Sequence, residues 1–491
     1  MPFIDEQNTN IVPLWIHGKS RVPAEAAKFT IISSETGKPV HNAISASVSD
    51  ANLACETANI AFKQWRKTTH VYRRKLLFKA ADIYAQKLDE IAAHQVNETS
   101  CPPQFAKWNI MKAIEYIQEI AASSTEIRGT IAQRPSAADG TEEEGLTLVV
   151  TEPVGPVLII PPWNGAVILP TRAMSMAIAA GCTMVVKASE KCPMTHHMLV
   201  QAFEEAGVPS GVINMIQAER SSAAAVTEAL VSHPAIRKVD FIGSQAVGRQ
   251  IGALCGKYLK PILMELGGKG PAIVLDDADL EKAAKLCAMG ATLHHGQLCF
   301  STERIIVQRS ISERFIAILK SAMEHIPTAG VAVDEASAKH AYEVLVNAQK
   351  NGATFLVGGP KYLKDNSLQP TLVTDVTDKA RIWDEETFGP SATVYIVDTD
   401  VDAIERANDS AYGLNAAVNS TNWERAYNVA RRLEYGQVVV NNMTVADNPT
   451  QPIRGVKGSG WGQSNAIWGI REFTVEKTIN MGPTKGGAGF M

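Results

Sequence analysis

From residue 157 to the helical pattern that opens near Gln245, the chain repeats one grammar. A short apolar, β-branched run is followed by a tight turn and then by a longer stretch with helical spacing. The strand-like runs are Val157-Leu-Ile-Ile160, Thr183-Met-Val-Val-Lys187, Val212-Ile-Asn-Met-Ile216 and Lys238-Val-Asp-Phe-Ile242, with helices starting near Leu169, Thr195, Ala223 and Gln245. Strands apolar on both faces need cover on both sides, and parallel neighbours need crossovers, so helices must flank a parallel sheet. The fold class is therefore α/β, doubly wound. Such sheets bind nucleotides at the carboxyl ends of their strands, just after residues 160, 187 and 242.

The grammar restarts after Gly267. A strand is expected at 272–275, a helix from about Leu280, a strand at 304–307, helices over about 313–325 and 335–352, and strands near 354–357, 371–373 and 392–397. A chain of 491 residues is too long for one core, so a second α/β domain is expected, with the boundary near residue 265. Ahead of the first sheet, Trp15-Ile-His-Gly-Lys19 reads as a hairpin and residues 29–33 as a strand edge. Ser47 reads as a helix N-cap, and further helical patterns cover 72–94 and 105–128. The stretch 140–153 is a polar turn followed by a strand.

Composition narrows the partners. With 45% apolar and 20% charged residues and a net charge of −4, nothing draws the chain to nucleic acid or an anionic membrane. The uncharged run 154–171 holds four prolines and two glycines, which a spanning helix would have to accommodate. Seven cysteines without C-x-x-C spacing argue against a disulfide framework and a structural zinc site, and so for a reducing compartment. No basic region and apolar run opens the sequence, and Gly-Ala-Gly-Phe-Met at its end is no retention or peroxisomal address, so cytosol is the expected location.

The chemistry centres on Gly296-Gln-Leu-Cys299-Phe-Ser-Thr-Glu-Arg304, a glycine-broken loop running into a strand, where a thiol is partly exposed and held by backbone. Upstream, Glu265-Leu-Gly-Gly-Lys269 follows a carboxylate with paired glycines that allow close backbone approach. Together these motifs resemble the signatures of the aldehyde dehydrogenase superfamily, and the resemblance extends from about Ala46 to Ile479. Within it, the Cys299 loop and Val186-Lys-Ala-Ser-Glu190 look most like salicylaldehyde and vanillin dehydrogenases. The resemblance implies an oxidation of an aldehyde, here aromatic (salicylaldehyde-, vanillin- or polyketide-like), to the carboxylic acid. Cys299 is the implied nucleophile and Glu265 the base that activates water. Asn164, in Pro162-Trp163-Asn164, joins the Cys299 N–H in stabilising the oxyanion of the thiohemiacetal. It also implies a cofactor domain over 1–130 and 153–264, a catalytic domain over 265–473, and an oligomerisation hairpin and tail over 131–152 and 474–491, making a homodimer or homotetramer.

Cofactor residues are carried over in the same way. Lys187 and Glu190, with Ser189 between them, hold the adenosine ribose. A carboxylate there accepts from a 2′-hydroxyl and repels a 2′-phosphate, which favours NAD over NADP. Gly243-Ser244 with Val247 opens a helix toward a pyrophosphate. Ile160, Pro162, Trp163, Leu266 and Gly267 line the same side, and in Glu385-Glu386-Thr-Phe388 the Glu386 carboxylate holds the nicotinamide ribose while Phe388 packs near the ring. No metal motif occurs.

Residues implied to line the substrate tunnel are Gly165, Ile168, Arg172, Leu298 and Phe300. Gly165 stands where many relatives carry an aromatic, so the tunnel should be wider there. Arg172 is expected either to engage a phenol or carboxylate of the substrate or to serve as a helix-surface ion-pair partner. Three positions depart from the family pattern: the missing glycine after strand 213–216 at Gln217, a shorter connection over 326–333, and Arg454 for a common glycine. Two other readings are kept, an inactive homologue acting as a binding protein and a cofactor-independent thioesterase using Cys299. The adjacent His294 and His295 raise a cysteine–histidine protease pair, without an orienting partner in the sequence and with a solvated loop histidine as the plainer expectation.

Overall fold

The computed structural model describes residues 11–132, 145–326 and 329–481. Two large sheets organise them. In the first, the strands Ile262–Glu265, Lys238–Ile242, Val157–Ile160, Met184–Lys187 and Ile213–Ile216 lie parallel in that order. Leu14–Ile16 and Lys19–Arg21 extend one edge as the expected hairpin, turning through His17 and Gly18 at φ 58° and 68°. Gly460–Trp461 runs antiparallel on the other edge, beside Ile262–Glu265. The five parallel strands are buried almost throughout, and helices cover both faces as the two-sided apolar pattern requires.

In the second sheet, Thr371–Thr374, Ser391–Val397, Thr302–Gln308, Gly270–Val274, Asn415–Asn419 and Gln437–Val440 are parallel, with Thr354–Val357 antiparallel at one edge. Its core lies against Leu280–Thr292 and Arg309–Glu324 on one face. A third, three-stranded sheet joins Thr474–Met481 to Leu146–Pro153 and Thr130–Ala132 in antiparallel register. The middle of the expected hairpin, 133–144, and the tail from 482 lie outside the described residues, as do the first ten residues and 327–328 within the short connection.

Local differences have local causes. The helical pattern over 72–94 is two helices, His70–Gln86 and Leu88–Thr99, broken at Lys87, whose φ of −101° and ψ of 14° leave the helical region. The pattern over 105–128 forms Pro103–Ser123 and then tightens into a 3-10 turn. Gln217 is buried, and its side-chain amide donates to the carbonyls of Val12 and Pro13 at 3.3 and 3.2 Å, tying the N-terminal strands to the sheet. The uncharged run 154–171 is a buried strand, a turn and the first turn of Ile168–Ala180. Among the described residues no helix is long and apolar enough to cross a membrane.

Candidate active site

Cys299 sits on a turn between the two sheets' machinery. The helix Leu280–Thr292 ends in a 3-10 turn, Leu293–Gly296, in which His294, His295 and Gly296 all adopt left-handed backbone (φ 50°, 61° and 71°). Two consecutive non-glycine residues in that region store strain that the surroundings must hold. Gln297 does much of the holding. Its buried amide donates to the His294 and Val331 carbonyls at 3.0 and 3.2 Å and accepts from Val333 N–H at 2.8 Å. The Asn164 side-chain amide in turn donates to the Gln297 carbonyl at 2.9 Å, so the turn after the first central strand is bonded to the loop carrying Cys299.

Glu265 ends its strand with one carboxylate oxygen, Oε1, 3.8 Å from Cys299 Sγ. The other, Oε2, accepts from Arg172 Nη2 at 2.6 Å. Burial drives the Cys299 thiol well above its ordinary pKa of 9.0; Glu265 and Glu386 push the same way, and Arg172 opposes them. Burial and the two carboxylates thus favour the thiol over the thiolate. The paired glycines have a plain reason. At Gly268 a side chain would run into the Cys299 carbonyl, and at Gly267 into the Glu386 carboxylate.

Glu386 Oε1 accepts from Gly268 N–H at 2.9 Å, and burial beside Glu303 pushes its pKa up to about 8. Its loop is fixed from below. Glu303 takes the N–H groups of Thr387 and Phe388 at 2.9 and 3.1 Å and pairs with the buried Lys269. Phe388, at φ 51°, lies edge-on to Trp163 with ring centroids 6.1 Å apart. Lys187 ends its strand buried, and burial lowers its pKa against the pull of nearby Glu190. Ser244 caps the exposed start of Gln245–Lys257, its hydroxyl accepting from Val247 N–H at 3.4 Å. An ammonium and carboxylate, a helix N-terminus, and an aromatic pair beside a carboxylate thus line the carboxyl ends of the first sheet's strands. That donor set fits a dinucleotide.

A pocket leads to Cys299, walled by Phe105, Trp108, Leu298, Phe300 and Val445 and floored by Asn164, Arg172, Glu265 and Asp447. Gly165 and Ile168 line the same pocket, and a Cβ at Gly165 would stand 2.9 Å from Leu169 Cγ and 3.2 Å from Ile168 Cγ2. The helix-surface expectation for Arg172 needs correction: it is 1% exposed, lines the pocket and lies between Glu265 and Asp447, with Nη1 3.7 Å from Asp447 Oδ2. Burial alone would lower its pKa, but Glu265, Asp447 and Tyr116 outweigh that and raise it.

The histidines are also buried rather than solvated. His294 stacks on Phe105 at 4.6 Å, and burial holds its pKa down to about 3. His295 Nε2 faces Leu368 N–H at 3.5 Å. Tyr116, Asp447 and Asn465 escaped the motif reading. Tyr116 donates to Asp447, and Asn465 Nδ2 donates to Asp447 Oδ1 at 3.2 Å. Asp447 sits in an irregular loop with no local signal. Tyr116 had one, because Phe105, Asn109 and Tyr116 share a face of the helix Pro103–Ser123, and Phe105 and Asn109 line the pocket. The six cysteines other than Cys299 are buried free thiols.

The model of the aldehyde dehydrogenase family matches residues 22–479, nearly the whole of this chain. The chain belongs to the aldehyde dehydrogenase family. Its fold is the aldehyde dehydrogenase fold: the crystal structure of a salicylaldehyde dehydrogenase from Pseudomonas putida, complexed with salicylaldehyde, superposes with a TM-score of 0.93 at 32% identity, covering 98% of this chain and 100% of that one. A vanillin dehydrogenase from a Pseudomonas species is 38% identical over 484 residues, 96% of this chain and 98% of the relative. The NADP-dependent succinate-semialdehyde dehydrogenase GabD of Escherichia coli is 32% identical over 443 residues, 88% of this chain and 90% of its own. This aldehyde dehydrogenase therefore has relatives that act on aromatic and on aliphatic aldehydes.

Proposed function

We propose that this aldehyde dehydrogenase oxidises a hydroxylated aromatic aldehyde to the carboxylic acid with NAD, as a cytosolic homo-oligomer. One observation carries the reading: Cys299 Sγ and Glu265 Oε1 face each other at 3.8 Å at the end of an aromatic-walled pocket. Glu265 takes the thiol proton, and the thiolate adds to the carbonyl carbon, forming the C–S bond and an alkoxide. One Asn164 amide hydrogen is committed to the Gln297 carbonyl, and the other is available to that alkoxide together with the Cys299 N–H. A bound nicotinamide would supply the hydride acceptor for the former carbonyl carbon, whose oxidation would leave a thioester on Cys299. Glu265, once it has shed the thiol proton, draws a proton from water as the water oxygen adds to the thioester. The C–S bond breaks, and the acid leaves Cys299 as a thiolate.

Lys187 and Glu190 would hold the adenosine ribose, the Gly243-Ser244 turn the pyrophosphate, and Glu386 the nicotinamide ribose, with Trp163 and Phe388 beside the ring. Glu190 favours NAD, since its carboxylate repels a 2′-phosphate. The aromatic substrate is supported by the vanillin and salicylaldehyde relatives and by the Phe105, Trp108 and Phe300 walls.

The test is NADH or NADPH absorbance with unsubstituted and hydroxylated benzaldehydes, short aliphatic aldehydes and succinate semialdehyde, each with NAD and NADP. The reading expects the highest kcat/KM with hydroxylated benzaldehydes and NAD. Preference for succinate semialdehyde would overturn the substrate assignment. Ester or thioester hydrolysis without cofactor, or cofactor binding with no turnover of any aldehyde, would favour the thioesterase or the binding protein.

A further inference from the structure

We propose that Arg172 is a positioning residue that aims the general base, through a relay of side chains running from Asn465 and Tyr116 through Asp447 and Arg172 to Glu265 and Cys299. This rests on the reading of Glu265 as the base. The geometry divides the two oxygens of the Glu265 carboxylate. Oε2 is pinned by Arg172 Nη2 at 2.6 Å, which leaves Oε1 facing the sulfur at 3.8 Å. A carboxylate at the end of a strand rotates about its side-chain bonds, and one pinned oxygen sets where the other points.

The guanidinium is itself held. Asp447 lies on its other arm at 3.7 Å, and Asp447 in turn accepts from Tyr116 and, at 3.2 Å, from Asn465. These partners come from separate parts of the chain: Tyr116 from the helix Pro103–Ser123, Arg172 from Ile168–Ala180, and Asp447 and Asn465 from the loops that precede Ala466–Glu472. On the strand Lys238–Ile242 the buried Asp240 faces the same groups: Arg172 and Lys238 favour its ionised form, while burial, Glu265 and Glu472 oppose it. Arg172 is 1% exposed, so water does not substitute for it. A planar fork fixes the plane of a carboxylate in a way that a lysine point charge does not.

The two roles open to Arg172 separate kinetically. If it aims Glu265, the steps that need the base slow, thioester hydrolysis above all, whichever aldehyde is used. If it touches substrate, KM rises selectively for hydroxylated aldehydes. The experiment is rapid-mixing NADH formation by the full-length enzyme with benzaldehyde and 4-hydroxybenzaldehyde, for wild type, Arg172→Met, Arg172→Lys and Asp447→Asn. Misplacing a reacting group by about 1 Å costs roughly 10²-fold. Arg172→Met is therefore expected to release about one NADH per subunit in a burst and then turn over roughly 10²-fold more slowly than wild type. Its KM ratio for the two aldehydes should be unchanged, and the acid limb of its kcat profile displaced. Arg172→Lys should recover part of the rate. Asp447→Asn, nearly isosteric, should slow turnover in the same direction, and it carries the test should Arg172→Met fail to fold by thermal melting.

Unchanged kcat in the variants, or a loss confined to KM for 4-hydroxybenzaldehyde, would overturn the assignment. A wild type that forms no NADH from either aldehyde would instead remove the reading on which it rests.

Discussion

At the scale of single residues, the site is a set of ionisable groups kept out of water. The Cys299 thiol is raised above 9.0 by burial and two carboxylates, so in the cofactor-free protein its alkylation by iodoacetamide should keep rising through pH 9. A plateau near pH 7 would show a thiolate already formed at rest. Asp240 is fully buried beneath the site, and burial, with Glu265 and Glu472 adding to it and Arg172 and Lys238 opposing, pushes its pKa up from 3.8 to about 7. Below pH 3.8 both folded and unfolded forms are neutral there. As pH rises through 7, the folded carboxyl must ionise at a cost the unfolded chain does not bear, so stability is lost. Asp240→Asn should therefore raise the melting temperature more at pH 8 than at pH 5, with about 1–3 kcal/mol gained at the higher pH. Equal gains at both would contradict the sign. Cys299, Glu265 and Asn164 stand out in the sequence because each lies in a short motif at the end of a strand or turn. Arg172 and Asp447 do not, because their meaning comes from packing across the chain. Nothing in the His294-His295 pair announces that both are buried at positive φ, since that conformation is imposed by Gln297 and the aromatic wall.

At the scale of elements, strand ends and helix starts do the positioning. Asn109, on Pro103–Ser123, accepts from the N–H groups of Val167 and Ile168 at 3.1 and 3.0 Å and so caps the helix carrying Arg172. Asn109→Ala should cost about 1–2 kcal/mol in denaturant unfolding, a cap's usual worth, and its absence would mean water replaces it. The Lys269–Glu303 pair holds the Glu386 loop, and both side chains are almost entirely buried. Lys269→Met leaves Glu303 without its cation and should destabilise by about 3–5 kcal/mol while weakening cofactor binding. Lys269→Met with Glu303→Leu should recover much of the stability but not the affinity, a split readable by melting and fluorescence titration. The alternation of apolar runs with helices gave away the parallel sheets, because two-sided burial forces that pattern. The break at Lys87 was hidden, since helical spacing continues across it. The antiparallel edge at Gly460–Trp461 was hidden too, because a two-residue strand carries no period.

At the scale of the molecule, the fold brings Asn164 from the turn after the first sheet's central strand, Glu265 from the end of that sheet's outermost parallel strand and Cys299 from the approach to the second sheet into one pocket. The arm sheet leaves Ile131, Val475, Ile479 and Met481 exposed along its strands. If subunits join there, Val475→Asp with Ile479→Lys should reduce the light-scattering mass toward the 52.9 kDa of one chain. An unchanged larger mass would move the interface elsewhere. The central claim is that Cys299 carries the acyl group and Glu265 releases it, and intact-protein mass spectrometry of Glu265→Gln mixed with benzaldehyde and NAD tests it most directly. The account predicts slowed NADH release, because the thiol proton has lost its acceptor, followed by a persistent mass increase of one benzoyl group, mapped by peptide to Cys299 and absent from Cys299→Ala. No adduct on Glu265→Gln despite NADH release, or an adduct on another residue, would contradict it.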